Sequence, residues 1–353
     1  MESAFELRIP SKIILSGEFS CIFGHSVITC PIPLFLNLSV EIRPRTQLNN
    51  IIVLNNVYQN FEFNFDETQK EIEGLLESNM PYFQFKKTFC ELAKFLKVGD
   101  RISDIDISLK YDTKILIGMG LGSSASFILS LYYLFANIRR IYGEQFSDDI
   151  NEENFVFLTN LENLFHGKSS GIDLLSILSG QIGMYERHDG VWKMKNALHT
   201  LQKPLKLLLI NSKQRKNTKE SVNHLLDSLQ KCPEIHSQLE AISLLTKSIF
   251  DGLQQGNYGG DIQEKLAQNH AQLKSLKLSS DALDAICDVF AKHGLGCKMT
   301  GGGRGGFCLA IYDDSQKDKF ELSLRELEDN GFEWFEYSIS EPPKIQTVFK
   351  GDF

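Results

Sequence analysis

The sequence predicts an α+β fold in two domains, and three observations carry that expectation. Strand-like and helix-like segments interleave irregularly instead of alternating as regular βαβ units. The 353 residues are 42% hydrophobic and 23% charged, which supplies a sizeable core and corresponds to roughly two domains of about 150 residues. The composition shifts near residues 190–205, so the expected division is 1–195 and 196–353.

The elements follow in order. Residues 5–9, 27–42 and 51–65 are rich in β-branched and aromatic side chains, interrupted by Pro31, Pro33 and Pro44, and read as strands. Residues 80–96 read as a helix with Phe85, Phe89, Leu92, Ala93 and Leu96 on one face. Residues 105–111 alternate apolar and polar, the period of a half-buried strand. A glycine cluster then opens a helix over 124–141, and a second helix is expected over 152–166. Residues 172–178 form a further apolar segment, and 181–185 and 205–210 read as strands. From 219 to about 293 the pattern is mostly helical. The tail returns to a strand at 307–312, a helix at 316–330 with Ser315 as its N-cap, and a last strand.

Composition excludes several functions. The net charge of −8 argues against a nucleic-acid partner. The longest apolar stretch, about 126–138, contains Ser126 and Ser130 and is too short for a membrane span of about 20 residues. Glu2, Glu6, Arg8 and Lys12 break up any apolar leader. The seven cysteines, at 21, 30, 90, 232, 287, 297 and 308, are odd in number and widely spaced, with no C-x-x-C. Reduced, buried thiols in a cytoplasmic protein are expected, not a disulfide framework or a zinc motif.

Gly118-Met119-Gly120-Leu121-Gly122-Ser123-Ser124-Ala125 is the most informative segment. Alternating glycines let the backbone approach a ligand closely, and the helix that follows presents free N–H groups and a positive dipole end to a phosphate. The alternative is a tight turn with a serine cap. The spacing fits neither a dinucleotide fingerprint nor a Walker A loop. A second cluster, Gly301-Gly302-Gly303-Arg304-Gly305-Gly306, lies between two extended segments and has more glycines than a turn needs. It is expected to line a phosphate or a substrate.

Three charged residues are singled out. Lys12, beside an apolar run ending in Gly17-Glu18, reads by itself as an edge-strand lysine with a snorkelling stem. Glu162 falls in the apolar stripe of Phe155, Leu158 and Phe165, so it is expected to hold a ligand or to form a buried ion pair. Asp173 either caps the helix after Gly171 or is a base held inside a pocket.

Taken together, a first motif Pro10–Glu18, a second Gly118–Ala125 and a third, glycine-rich one Lys298–Gly306 resemble, in order and separation, the motifs of the GHMP small-molecule kinases, with the block His166-Gly167-Lys168-Ser169-Ser170-Gly171-Ile172-Asp173 between the last two. The H-G-x-x-S-G-x-D form is similar to the branch that phosphorylates mevalonate. The resemblance implies a two-domain fold, the first domain of ribosomal-protein-S5-like type and the second with ferredoxin-like elements. It implies Mg²⁺-dependent transfer of the ATP γ-phosphoryl group to mevalonate, in isoprenoid precursor formation, by a homodimer.

By the same resemblance, Asp173 would be the base and Lys12 would stabilise the reacting hydroxyl and phosphoryl. Ser124 and Glu162 would hold Mg²⁺. Gly118, Gly120, Leu121, Gly122, Ser123 and Ser124 would cradle the nucleotide phosphates. Glu18, His166, Thr218, Gly301 and Gly302 would lie at the substrate. The chain departs from the family at Phe19, where histidine is usual, at Leu116–Met119, and at Arg304 and Phe307 in the third motif. These departures motivate two rivals: another GHMP kinase acting on phosphomevalonate or a sugar, and a regulatory protein of the same fold without catalysis.

Overall fold

The computed structural model describes residues 2–56, 59–74, 82–147, 149–166, 169–198, 200–215, 218–232 and 234–350, the side chains of His166 and Lys219 excepted. Two antiparallel strands, β1 (Ser3–Ser16) and β2 (Val27–Pro44), form its longest pairing. In the first half of β1, Phe5, Leu7 and Ile9 are buried and Arg8 is exposed, as a one-faced strand requires. From Ile9 onward every residue of β1 is buried, so that half is covered on both faces. Register shifts at Pro10/Ser11 and Ile14/Ser16 mark the change.

The chain continues through β3 (Ile51–Asn55), β4 (Phe61–Phe63), α1 (Phe65–Gly74), α2 (Phe83–Phe95), α3 (Gly99–Ser103) and β5 (Ile105–Thr113). Next come α4 (Ser123–Ile141), α5 (Glu152–His166), α6 (Ile172–Ser179), β6 (Ile182–His188) and β7 (Val191–Leu198). A second sheet begins with β8 (Leu205–Asn211), followed by α7 (Thr218–Lys231), α8 (Glu234–Gln254), α9 (Gly260–Ser275) and α10 (Asp281–Lys292). The tail is β9 (Lys298–Thr300), β10 (Phe307–Tyr312), α11 (Lys317–Asp329), β11 (Glu333–Ile339) and β12 (Gln346–Lys350).

The first sheet runs β12-β1-β2-β5-β3-β4, with β6 also on β2 and β7 on β6; the second runs β11-β8-β10-β9. Among the described residues only the β3–β5 pair is parallel, which confirms an irregular α+β arrangement. β12 returns the C-terminal tail to β1, so the first sheet draws on both ends of the chain. Helix α4 is buried from Ser124 to Ile138 except for the half-buried Phe127, the signature of a central helix, and Phe135 meets Phe89 edge-on at 4.8 Å. A second core gathers Leu208, Leu239, Phe290 and Phe320 between the second sheet and its helices. Among the described residues, no helix is long and apolar enough to cross a membrane.

The structure corrects several local expectations. Residues 51–65 are not one strand: β3 and β4 form a hairpin, and α1 starts at Phe65. Ser315 does not cap the last helix. The Asp313 side chain instead accepts from the Ser315 N–H and caps a 3₁₀ turn ahead of α11.

Gly296 fixes how the second sheet meets α9. Its N–H donates to the Gln263 Oε1 at 2.9 Å, and a Cβ placed there would lie 1.7 Å from the Gln263 carbonyl oxygen. Gly296→Ala therefore has to push α9 off the sheet. We expect a loss of about 2–3 kcal/mol in urea unfolding; an unchanged midpoint would show that this approach is dispensable.

Candidate active site

The doubly buried half of β1 builds the site. It is clamped from the second half of the chain by three hydrogen bonds. Thr300 Oγ1 donates to the Ile14 carbonyl at 2.7 Å, Asn269 Nδ2 donates to Ser16 Oγ at 2.7 Å, and Ser16 and Thr246 share a hydroxyl contact at 2.7 Å. On the other side, the Lys12 N–H donates to the Leu121 carbonyl at 3.2 Å, and Ser11 Oγ donates to the same oxygen. The glycine loop is thereby stitched to β1.

Lys12 is not a snorkelling edge residue. It is 1% exposed, its Nζ lies 2.7 Å from Asp173 Oδ1, and it donates to the Gly120 carbonyl at 3.3 Å. Its stem runs directly beneath Gly122, where a Cβ would meet Lys12 Cγ at 3.0 Å. Gly122 also has φ of 79° and forms the N-cap of α4, so glycine is required there on two counts. The serine-cap alternative fails, because Ser123 and Ser124 are already helical. Their end of the helix, with a strand of glycines at positive φ leading into it, is a ready cradle for an anion.

Asp173 does not cap α6 either. Gly171, at φ 78°, holds that position. Asp173 sits in the first turn with its side chain 23% exposed, facing Lys12. Glu162, on α5, is 1% exposed, and its ligands are hydroxyls. Ser124 Oγ donates to one carboxylate oxygen at 3.3 Å and Ser169 Oγ donates to the other. Burial raises the Glu162 pKa to about 7, the Asp173 charge adds to the rise, and the two hydroxyls and Lys12 oppose it.

Ser169 was not singled out from the sequence. It lies in a Gly/Ser turn whose residues look alike, and only the fold shows its role. Its N–H donates to Asn163 Oδ1 at 2.6 Å, and its hydroxyl accepts from the Gly171 N–H at 3.0 Å while donating to Glu162.

Glu18 is fully buried and paired with Lys298, which is equally buried and also donates to the Met299 carbonyl at 2.7 Å. Among the described residues Glu18 Oε2 is buried without a hydrogen-bond partner. Lys298 was overlooked because a lysine in an apolar strand gives no sign of its partner 280 residues away. Cys21 lies between this pair and the first. Burial pushes its thiol up to about 12, and the charges of Glu18 and Asp173 add to the rise.

The third glycine motif packs against other backbone. A Cβ on Gly302 would lie 2.0 Å from Thr218 Oγ1, a hydroxyl that is itself buried without a partner among the described residues. One on Gly301 would approach Gly120, and one on Gly306 would lie 2.8 Å from the Met119 carbonyl. The loop thus lies on the phosphate-loop glycines and the start of α7.

The departures have local causes. Arg304, at φ 55°, pairs with Glu220 in the first turn of α7. Phe307 is buried in β10, edge-on to Phe335 at 6.3 Å. Phe19, at φ 62°, is buried in the second core. The side chain of His166, and Gly167 and Lys168 after it, lie outside the described residues.

The structure therefore brings together Lys12, Asp173, Glu162, Ser124 and the loop 118–123, with Gly301 against that loop and Gly302 against Thr218. The arrangement can hold an anion at a helix N-terminus and a hard cation on oxygen donors, and can set a carboxylate and an ammonium on one reacting group.

Comparison with known proteins agrees with this geometry. Residues 85–181 match the description of the GHMP kinases N-terminal domain, and residues 251–330 match the GHMP kinases C-terminal one. Mevalonate kinase of Methanocaldococcus jannaschii is 27% identical over 91% of this chain and 95% of its own. That of Bos taurus is 25% identical over 94% and 92%. Among solved structures, the Methanococcus jannaschii mevalonate kinase superposes with a TM-score of 0.74 at 23% identity, covering 94% of this chain and 97% of that one. The L. major enzyme in complex with R-mevalonate gives 0.74 at 20% identity, with 96% of each covered.

The raised Glu162 pKa has a consequence for stability. The unfolded chain releases this proton near the ordinary glutamate value of 4.5, while the folded chain holds it until about 7. Stability is therefore lost as pH rises through that window. Glu162→Gln removes the penalty. In urea unfolding at pH 8 we expect the variant to exceed the parent by up to about 3 kcal/mol, with no gain at pH 4.5. A gain of equal size at both pH values would trace the effect to packing instead.

Proposed function

The chain belongs to the GHMP kinases, and from that premise we propose that it phosphorylates the C5 hydroxyl of mevalonate with ATP, giving 5-phosphomevalonate for isoprenoid and sterol precursor formation. The observation that carries this reading is the 2.7 Å pair of Lys12 and Asp173 at the foot of the glycine loop. The names of the full-length relatives point to the same substrate.

Phosphoryl transfer asks for positioning and charge neutralisation more than for covalent chemistry by the protein. The 118–123 amides and the α4 N-terminus would hold the phosphates. Asp173 would accept the hydroxyl proton. Lys12, fixed by Gly120 and Asp173, would stabilise the oxygen as its charge grows and then the transferring group. Glu18, His166 and Thr218 would face the substrate, with Gly301 and Gly302 closing the wall behind it; the unpartnered Glu18 and Thr218 oxygens support this.

Ser124 and Glu162 suit Mg²⁺. They are hard oxygen donors, and Glu162 is a buried carboxylate with no cation among the described partners of its two oxygens. Bound there, the ion would neutralise phosphate charge. The same reading divides the chain into 1–195 and 196–353, and carries with it a cytoplasmic homodimer without nucleic-acid or membrane partners.

An ADP-release assay over a panel of alcohols tests the assignment. Turnover is expected with mevalonate and not with phosphomevalonate, galactose or homoserine. Turnover of one of those instead would move the substrate, and ATP binding without any turnover would favour a regulatory protein. In Asp173→Asn, kcat should fall by about 10²-fold or more with the KM for ATP little changed. Near-normal turnover would remove Asp173 from the chemistry.

A further inference from the structure

The sequence spacing of Cys287, Cys297 and Cys308 matches no metal motif, yet the fold collects them. Cys287 comes from α10, Cys297 from the segment entering β9, and Cys308 from β10. Their three sulfurs all lie within 4.8 Å of one another, and those of Cys287 and Cys308 are 3.8 Å apart. All three are free thiols and buried. An ion bonded to three thiolates at about 2.3 Å holds them about 4 Å apart, so the cluster needs little adjustment to close on one. We propose that Cys287, Cys297 and Cys308 form a three-coordinate site for a single soft, thiophilic metal ion, with monovalent copper the preferred occupant.

The donor set selects the class of ion. Three sulfurs and no oxygen exclude Mg²⁺ and Ca²⁺ and favour Cu(I). Zn²⁺ usually takes a fourth ligand, and none joins this group among the described residues. The neighbouring His270 is committed elsewhere: its Nδ1 accepts from the Met299 N–H at 3.3 Å, and its Nε2 lies 3.2 Å from Asp284. Burial also leaves little room for a water ligand.

Within the cluster the sulfurs lie in mutual contact, Cys287 and Cys308 at 3.8 Å. As each metal–sulfur bond forms, the thiol proton passes to solvent, and no oxidant or reductant is consumed. Cys297 and Cys308 stand at the two ends of the third glycine motif, next to Lys298 and Phe307. An ion here would tie α10 to the base of that loop.

The test uses the full chain, reduced and without oxygen. Cu(I) is titrated against a competing chelator, and Cd²⁺ serves as a spectroscopic probe of sulfur ligation. One equivalent should bind, with a charge-transfer band of the intensity of three thiolates. Affinity should drop at least about tenfold in Cys287→Ser and stay unchanged in Cys232→Ser, which lies outside the cluster. Binding that is absent, or that survives Cys287→Ser, or that is lost equally in Cys232→Ser, overturns the site. If Cys287→Ser fails to fold, thiol alkylation of the parent during partial unfolding, with and without Cd²⁺, decides the matter. Protection confined to residues 287, 297 and 308 supports the site, and protection at none of them overturns it.

Discussion

The buried ammonium of Lys12 is the constraint from which the rest follows. An isolated charge in a protein interior costs several kcal/mol, so it persists only when paired and hydrogen-bonded. Lys12 satisfies this through Asp173 and the Gly120 carbonyl. Those two partners come from the first turn of α6 and the loop before α4, so both must be delivered to β1 at once. Gly122 has to be glycine because the lysine stem passes under it, and Gly171 has to cap α6 so that Asp173 can turn inward. One buried cation thus sets the placement of a strand, a loop and two helix starts.

A second buried pair does for the two halves of the chain what the first does for the first sheet. Glu18 and Lys298 join the end of the first motif to the start of the third, with Thr300 bonded to Ile14 beside them. Breaking either partner would leave an uncompensated charge in the core. The third glycine loop is consequently held where its backbone touches Gly120, Met119 and Thr218. Its glycines serve that close packing. Phe19 works in the same sense, an apolar anchor on the first-motif loop set into the second core. The net charge of −8 is no obstacle to an anionic ligand, because the positive groups that matter are buried, local and fixed.

Much of this was legible in the sequence. The glycine loop and its helix were readable because backbone conformation is written in local residue types. Glu162 could be placed in an apolar stripe by periodicity alone, and the structure buries it. Lys12 was misjudged as an edge residue because its second neighbour is a loop 108 residues away. Asp173 could not be settled because cap and base differ only in which way the side chain turns. Ser169 and Lys298 had no local signal. The cysteine cluster escaped spacing rules because it is assembled from a helix, a loop and a strand that meet only in the folded chain. Short-range chemistry was readable; long-range pairing of charges and sulfurs was not.

The two carboxylates of the site make the last point. They are close enough for the charge of each to act on the other, yet their environments differ. Asp173 has an ammonium at 2.7 Å, while Glu162 has two hydroxyls. Hydroxyls can orient a carboxylate but cannot neutralise it. Burial is the first cause of the raised Glu162 pKa, and the Asp173 charge adds to it. Two carboxylates whose environments push them apart in this way take different tasks. On the proposed function, the one beside the ammonium would take up the proton and the one held by hydroxyls would receive the cation.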